Sequence, residues 1–263
     1  MWEANPLTQV FGGLASGIPG ELRGLEYIHT NFGNLPWSTV VAPAAKLATE
    51  GWEVNKDLER YMDVTASRIG DYFTKDAVWA EDFAPNGTRL GLYDWIRRPK
   101  LGKALDRIGR DGVDVFYKGD MARQIIAANR KRGGLFTEDD MRNYKVEVRE
   151  PISMEYGNFT VTSVPAPAGG ASVLSILKIM EGFDLDDGVN LTTHRLNEAF
   201  RFAAGVRSVL GDPAYVDSAD ELQRTIVTEE YGKYVRSKLN DNRTLDWSEY
   251  APSGFETQES VSL

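Results

Sequence analysis

Cysteine is absent from the 263-residue chain, which excludes disulfides, thiolate metal sites and a cysteine nucleophile together. Histidine is nearly as scarce, with only His29 and His194 present. A zinc site of the H-E-x-x-H kind is thereby excluded, and the serine-hydrolase string G-x-S-x-G does not occur either. No apolar run approaches the roughly 18 residues that a membrane-spanning helix needs. The start, Met1-Trp-Glu-Ala-Asn-Pro6, has neither the basic region nor the apolar stretch of a secretion leader. Positive charge is in deficit: a net charge of −9 repels a polyphosphate backbone, so nucleic acid is not an expected partner. No internal repeat occurs, and no linker rich in Pro, Gly or Ser forces a boundary. Residues 1–263 therefore read as a single domain.

What is present is 42% apolar residues arranged mostly with helical period. A glycine- and proline-rich entry, residues 12–20, feeds a helix over 21–32 that stops at Gly33-Asn-Leu-Pro36. A second helix is predicted from Ser38, as N-cap, to Glu50, with Gly51 just past its end. Residues 55–83 read as helical with interruptions, one of them at Gly70. Asp120–Arg132 reads as a helix with Met121, Ile125 and Ala128 on one face, acid at its start and base at its end. Thr137-Glu-Asp-Asp140 caps another, and Ser218-Ala-Asp-Glu221 reads as a capping box. The period becomes two at residues 146–164, where Gly157-Asn158 separates alternating runs and predicts a hairpin. Residues 171–182 form an apolar helix, and Leu196, Phe200 and Ala203 mark a further one. In the first of these, Val173, Leu174, Ile176, Leu177, Ile179 and Met180 surround the axis. Such a helix needs cover on several sides, and the few strands suggest an exposed apolar patch there.

The chemistry-bearing strings have plainer readings. The glycine entry lacks both G-x-G-x-x-G after a strand and a terminal Lys-Ser/Thr, so it reads as a turn and not a phosphate cradle. Asp184-Leu-Asp186-Asp187-Gly188 places glycine and the final ligand wrongly for an EF-hand, leaving a solvated loop and no metal. Arg130-Lys-Arg132 reads as a helix end. Thr192-Thr193-His194 resembles the start of a threonine nucleophile, whose α-amine would serve as base. Its flank, His194-Arg-Leu-Asn-Glu-Ala-Phe200, continues with helical period, so it reads as part of a helix.

Several segments together resemble the γ-glutamyltransferases (glutathione hydrolases). They are Gly12-Gly-Leu-Ala-Ser-Gly-Ile-Pro-Gly-Glu-Leu-Arg-Gly24, Gly33-Asn-Leu-Pro-Trp37, Pro43-Ala-Ala-Lys-Leu-Ala48 and Gly112-Val-Asp-Val-Phe-Tyr-Lys-Gly119. Gly133-Gly-Leu-Phe-Thr-Glu-Asp-Asp140, Tyr144, Pro165-Ala-Pro-Ala-Gly-Gly170, His194-Arg-Leu-Asn-Glu-Ala-Phe-Arg-Phe-Ala203 and Gly211-Asp-Pro213 continue the series in family order. The resemblance implies an α+β fold, part of the αββα sandwich of N-terminal-nucleophile hydrolases, here mostly helical with a small β-hairpin component. It implies a precursor that cleaves itself before a threonine, and a small subunit of that precursor as partner. The substrates implied are glutathione and other γ-glutamyl amides, whose γ-glutamyl group passes to water or amino acids without a cofactor.

Two landmarks of the resemblance are missing. No Asp-x-Arg-Glu occurs to grip the substrate carboxylate, and the chain ends where the family would soon read Gly-Thr-Ser/Thr-His. No catalytic or substrate-binding residue is therefore assigned, and the chain alone is expected to be inactive. A related acylase and a non-catalytic interaction protein of the same fold remain alternatives; an in-frame Gly-Thr-Ser/Thr-His beyond Leu263 separates them. An extracellular or cell-surface location is implied by the resemblance. Asn86, Asn158, Asn190 and Asn242 stand in N-x-S/T sequons and are glycosylation candidates.

Overall fold

The computed structural model describes residues 6–251. The opening residues before Pro6, and the C-terminal stretch beside which a processing site is expected, lie outside the described residues. The chain divides between Val146 and Glu147 into two compact units.

In the first unit, α1 (Glu21–Phe32) and α2 (Trp37–Glu50) come where the periodicity places them. Ser38 is not the N-cap of α2. Pro36 occupies that place with φ −56°, Ser38 lies inside the first turn, and Trp37 Nε1 donates to the Ile108 carbonyl at 3.0 Å. Gly51 ends the helix at φ 96°, a left-handed conformation that glycine adopts without penalty. Helix α6 (Pro99–Asp111) lies against α2 over small residues. Ala45 and Ala48 are buried there, and a Cβ on Gly102 would run into the Thr49 hydroxyl.

A two-stranded antiparallel ribbon, β1 (Trp52–Glu53) with β2 (Trp95–Ile96), brackets α3 (Lys56–Ile69), α4 (Tyr72–Lys75) and α5 (Ala77–Phe83). Asn55 and Asp76 cap α3 and α5 by accepting from Leu58 N and Val78 N. Val54, Met62, Phe73 and Ile96 form the small core beneath them.

The unit closes with α7 (Asp114–Tyr117), α8 (Gly119–Lys131) and α9 (Glu138–Asn143). Asp120, in the first turn of α8, receives both terminal nitrogens of Arg107 at 2.7 Å. Those hydrogen bonds to Arg107, the largest influence, hold its carboxyl at about 2. Because the folded value lies below the unfolded one, this pairing is fully present above the ordinary carboxylate range. It is lost as pH falls toward 2.

The buried face of α8 differs from the predicted one. Ala122, Ile126 and Asn129 point inward, while Met121 and Ile125 are half-buried and Ala128 is exposed. The phase is set by Asn129, a polar residue that the apolar pattern assigns to the surface. Its Nδ2 donates to the Gly13 carbonyl at 2.9 Å, and its Oδ1 accepts from Phe136 N at 3.1 Å. Gly13 N in turn donates to Arg132 O at 2.8 Å. A Cβ on Gly13 would collide with the backbone of Gly134 and Asn129, so only glycine permits this approach. Thr137 caps α9 as predicted, and Asp140 completes a reciprocal capping box.

The second unit opens with the predicted hairpin, β3 (Ile152–Tyr156) and β4 (Phe159–Ser163), paired in register from Ile152↔Ser163 to Tyr156↔Phe159. Val146 and Val148 stay outside it. Four helices follow: α10 (Gly170–Met180), α11 (Val189–Val209), α12 (Ala219–Thr225) and α13 (Glu229–Lys238). Ser218 does not form the predicted capping box. Its backbone is already helical (φ −79°, ψ −8°), and its side chain makes no cap hydrogen bond.

The expected apolar patch on α10 is not found. The hairpin, α11, α12 and α13 all contact this helix, so Leu174, Ile179 and Met180 are buried and only Val173 is largely exposed. Even Lys178 is enclosed, with Nζ 2.6 Å from both Glu155 O and Glu181 Oε2. That ammonium, with Gly157 N, draws the Glu181 carboxyl below its usual range. Helices dominate the described residues, and their strands form two small antiparallel pairs, an α+β composition.

Asn129→Ala is expected to lower the unfolding free energy by about 2 kcal/mol, since it leaves the buried Phe136 amide without its acceptor and takes one of two donors from the Gly13 carbonyl, which keeps Ser16 N. Denaturant titration of the two chains checks this; equal midpoints would show that Asn129 is not the hub of the first unit.

Candidate functional site

Thr192, Thr193 and His194 lie in the first two turns of α11. Thr192 Oγ1 donates to the Leu185 carbonyl at 3.3 Å, and His194 Nε2 lies 2.8 Å from Asn240 O. Thr193 and His194 border a shallow depression with Asn190 and Asn197. A threonine inside a helix has no free α-amine beside it, so it lacks the base that such a nucleophile uses.

The acidic loop before α11 is engaged as well. Asp187 and Asp241 flank the Arg195 guanidinium at 2.6 and 2.8 Å, with Phe183 below it at 4.5 Å. Hydrogen bonds to the two carboxylates raise the arginine and lower Asp241. No group of three or more His, Asp or Glu gathers as a metal site among the described residues.

The segment Pro165–Gly170 is held on three sides. Ala166 N donates to the buried Gln223 Oε1 at 2.8 Å, and Gln223 Nε2 donates to Asp220 at 2.7 Å. Arg207 Nη1 donates to Pro167 O at 2.7 Å, and the Ala166–Pro167 bond is cis. Beside this loop lies an open cleft of about 480 Å³, lined by Arg149, Ser153, Pro165, Gln223 and Arg224 among others. Arg149 is paired with Asp212 at 2.9 Å, and Asp212 also caps Ala214 N.

A feature that the sequence patterns do not mark is the buried carboxylate of Glu198, in the middle of α11. Its Oε2 accepts from the Tyr250 hydroxyl at 2.8 Å, and that hydroxyl accepts from Leu245 N at 3.0 Å. Glu198 Oε1 has no hydrogen-bond partner among the described residues; Arg201 Nε lies 3.6 Å away. Burial, the first cause, and the neighbouring carboxylate push the Tyr250 phenol up. The two residues are far apart in sequence, so no local spacing announces the pair.

The first unit gathers its own share of the landmark segments. The Tyr117 hydroxyl donates to Pro19 O at 2.5 Å, and its ring stacks on Tyr144 at 6.0 Å. Arg23 lies over the same ring at 4.4 Å and reaches Asp114 at 2.7 Å. All four sequon asparagines are exposed: Asn86 after α5, Asn158 in the hairpin turn, Asn190 in the first turn of α11 and Asn242 after α13. No helix of the described residues is long and apolar enough to cross a membrane.

Comparison with known proteins identifies this set of packed landmarks. Residues 1–262 match the family described as gamma-glutamyltranspeptidase. The glutathione hydrolase proenzyme of Arthroderma benhamiae is 42% identical over 261 residues, covering 98% of this chain and 44% of that protein. The crystal structure of Helicobacter pylori gamma-glutamyltranspeptidase matches with a TM-score of 0.84 at 27% identity, over 97% of this chain and 73% of the other. Cephalosporin acylase from Bacillus halodurans matches with a TM-score of 0.78 at 27% identity, over 88% of this chain and 43% of the other. The chain spans less than half the length of the curated relatives it matches. It belongs to the γ-glutamyltranspeptidase family and carries part of that family's N-terminal-nucleophile hydrolase fold.

Proposed function

We propose that this chain is a large-subunit portion of a glutathione hydrolase, made within a precursor that is cleaved into two subunits. With the small subunit it hydrolyses γ-glutamyl amides such as glutathione, or passes the γ-glutamyl group to an amino acid. The observation that carries the reading is the 42% identity, over 98% of the chain, to a glutathione hydrolase proenzyme. The likeness to a cephalosporin acylase supports a second reading, cleavage of a different amide, at the lower identity of 27%.

The surface of the first unit fits a need for a partner. Helix α1 buries no residue, and Leu25, Ile28 and Phe32 on it are 54, 57 and 74% exposed. These positions share one face of the helix. An apolar stripe of this kind marks a protein-binding surface, here for the rest of the precursor.

The chain alone is expected to show no turnover of a chromogenic γ-glutamyl anilide, and to gain it when the remaining precursor segments are supplied. Turnover by the 263-residue chain alone that is abolished by Thr193→Ala would contradict this. Preference of the assembled protein for an acyl side chain other than γ-glutamyl would favour the acylase reading.

Export follows from the same family reading, and Asn158 is the preferred glycan site. It is exposed at the tip of the hairpin turn, where a sugar meets water. Glycopeptide mapping of protein secreted from a eukaryotic host is expected to find Asn158 occupied. Occupied Asn86 or Asn242 with bare Asn158 would argue against that preference.

A further inference from the structure

The cleft beside Pro165 lies wholly within the second unit, and its volume of about 480 Å³ is that of a small-molecule site. Its floor is apolar: Ile152 is buried, and Pro165, Pro213 and Val227 are half-buried. The two prolines bring no N–H donor into that floor. Both walls are fixed by hydrogen bonds. Gln223 accepts from Ala166 N at 2.8 Å and donates to Asp220 at 2.7 Å, which holds α12 against the loop that follows Pro165. Arg149 donates to Asp212 at 2.9 Å, which ties the approach to β3 to the residue before Pro213. A cleft shaped in advance loses little conformational freedom when a ligand enters.

The polar groups around the floor divide into engaged and unengaged. Asp212 is taken by Arg149 through Nη2, and Asp220 and both ends of Gln223 are bound to each other and to the loop. Arg224, exposed on α12, makes no hydrogen bond or ion pair among the described residues. Its guanidinium is weakly hydrated, and its fork of donors matches the two oxygens of a carboxylate. Glu150 also lines the cleft without a partner, so a ligand with a second negative charge would meet repulsion there.

We propose that this cleft binds a small monocarboxylate with an apolar body. The carboxylate lies on Arg224 and the body on Ile152, Pro165, Pro213 and Val227. The site uses only residues of this chain and stands independently of the proposed function.

Amide NMR on the 263-residue chain tests the assignment, with isovalerate as the probe. Saturable shifts are expected at Ile152, Ser153 and Val227, with a dissociation constant of about a millimolar for a ligand of this size. Isovaleramide keeps the body without the charge, and acetate keeps the charge without the body. Each is expected to bind about fivefold more weakly, and so is the dianion glutarate. Arg224→Gln is expected to keep the wild-type thermal midpoint and to bind isovalerate and isovaleramide alike. Glu150→Gln is expected to remove the bias against glutarate. Absence of saturable shifts at this cleft would overturn the assignment. Equal binding of acid and amide by the wild-type chain would do the same, as would an undiminished preference for the acid in folded Arg224→Gln.

Discussion

A polar side chain buried in a helix must find its partners inside the protein, and in each unit one such residue decides which loop lies on which helix. In the first unit it is Asn129, whose amide reaches the Gly13 carbonyl on one side and Phe136 N on the other. In the second it is Glu198, reached by Tyr250. Hydrophobic burial supplies most of the driving force, but it is non-directional and tolerates many registers. Hydrogen bonds in a low-dielectric interior do not, because each unmade one costs its full desolvation.

Several of the landmark segments meet through such contacts. Gly12–Gly24, Gly112–Gly119, Gly133–Asp140 and Tyr144 are separate stretches of sequence that meet around α8. There Gly13 docks on Asn129, Pro19 accepts from Tyr117, and Tyr117 stacks on Tyr144. Pro165–Gly170 and Gly211-Asp-Pro213 play a similar part through Gln223, Arg207 and Arg149. At these segments two backbones approach or a loop takes one fixed donor. These are scaffold functions, consistent with threonines that sit inside α11.

Much of this was legible from local pattern. The bounds of α1, the left-handed end of α2, the Thr137 cap and the hairpin turn are decided by neighbouring residues, and the sequence shows them. What depends on distant residues was not. The face of α8 is rotated from the predicted one because Asn129 is satisfied by Gly13, far away along the chain. Helix α10 was expected to be bare because its cover, the hairpin before it and the helices after it, leaves no mark on its own residues. Ser218 carries the letters of a capping box, but its backbone is already helical. The Glu198–Tyr250 pair was invisible for the same reason as the α8 face: nothing near either residue encodes the other.

Helix α1 exposes Leu25, Ile28 and Phe32, and the proposed function has the remaining precursor segments cover them. Hydrogen–deuterium exchange on the chain, alone and joined with the remaining precursor segments, tests it most directly. Amides of α1 are expected to exchange markedly more slowly in the joined form, while those of α10, already enclosed, change little. Unchanged exchange across α1, with the joined protein folded, would contradict the claim.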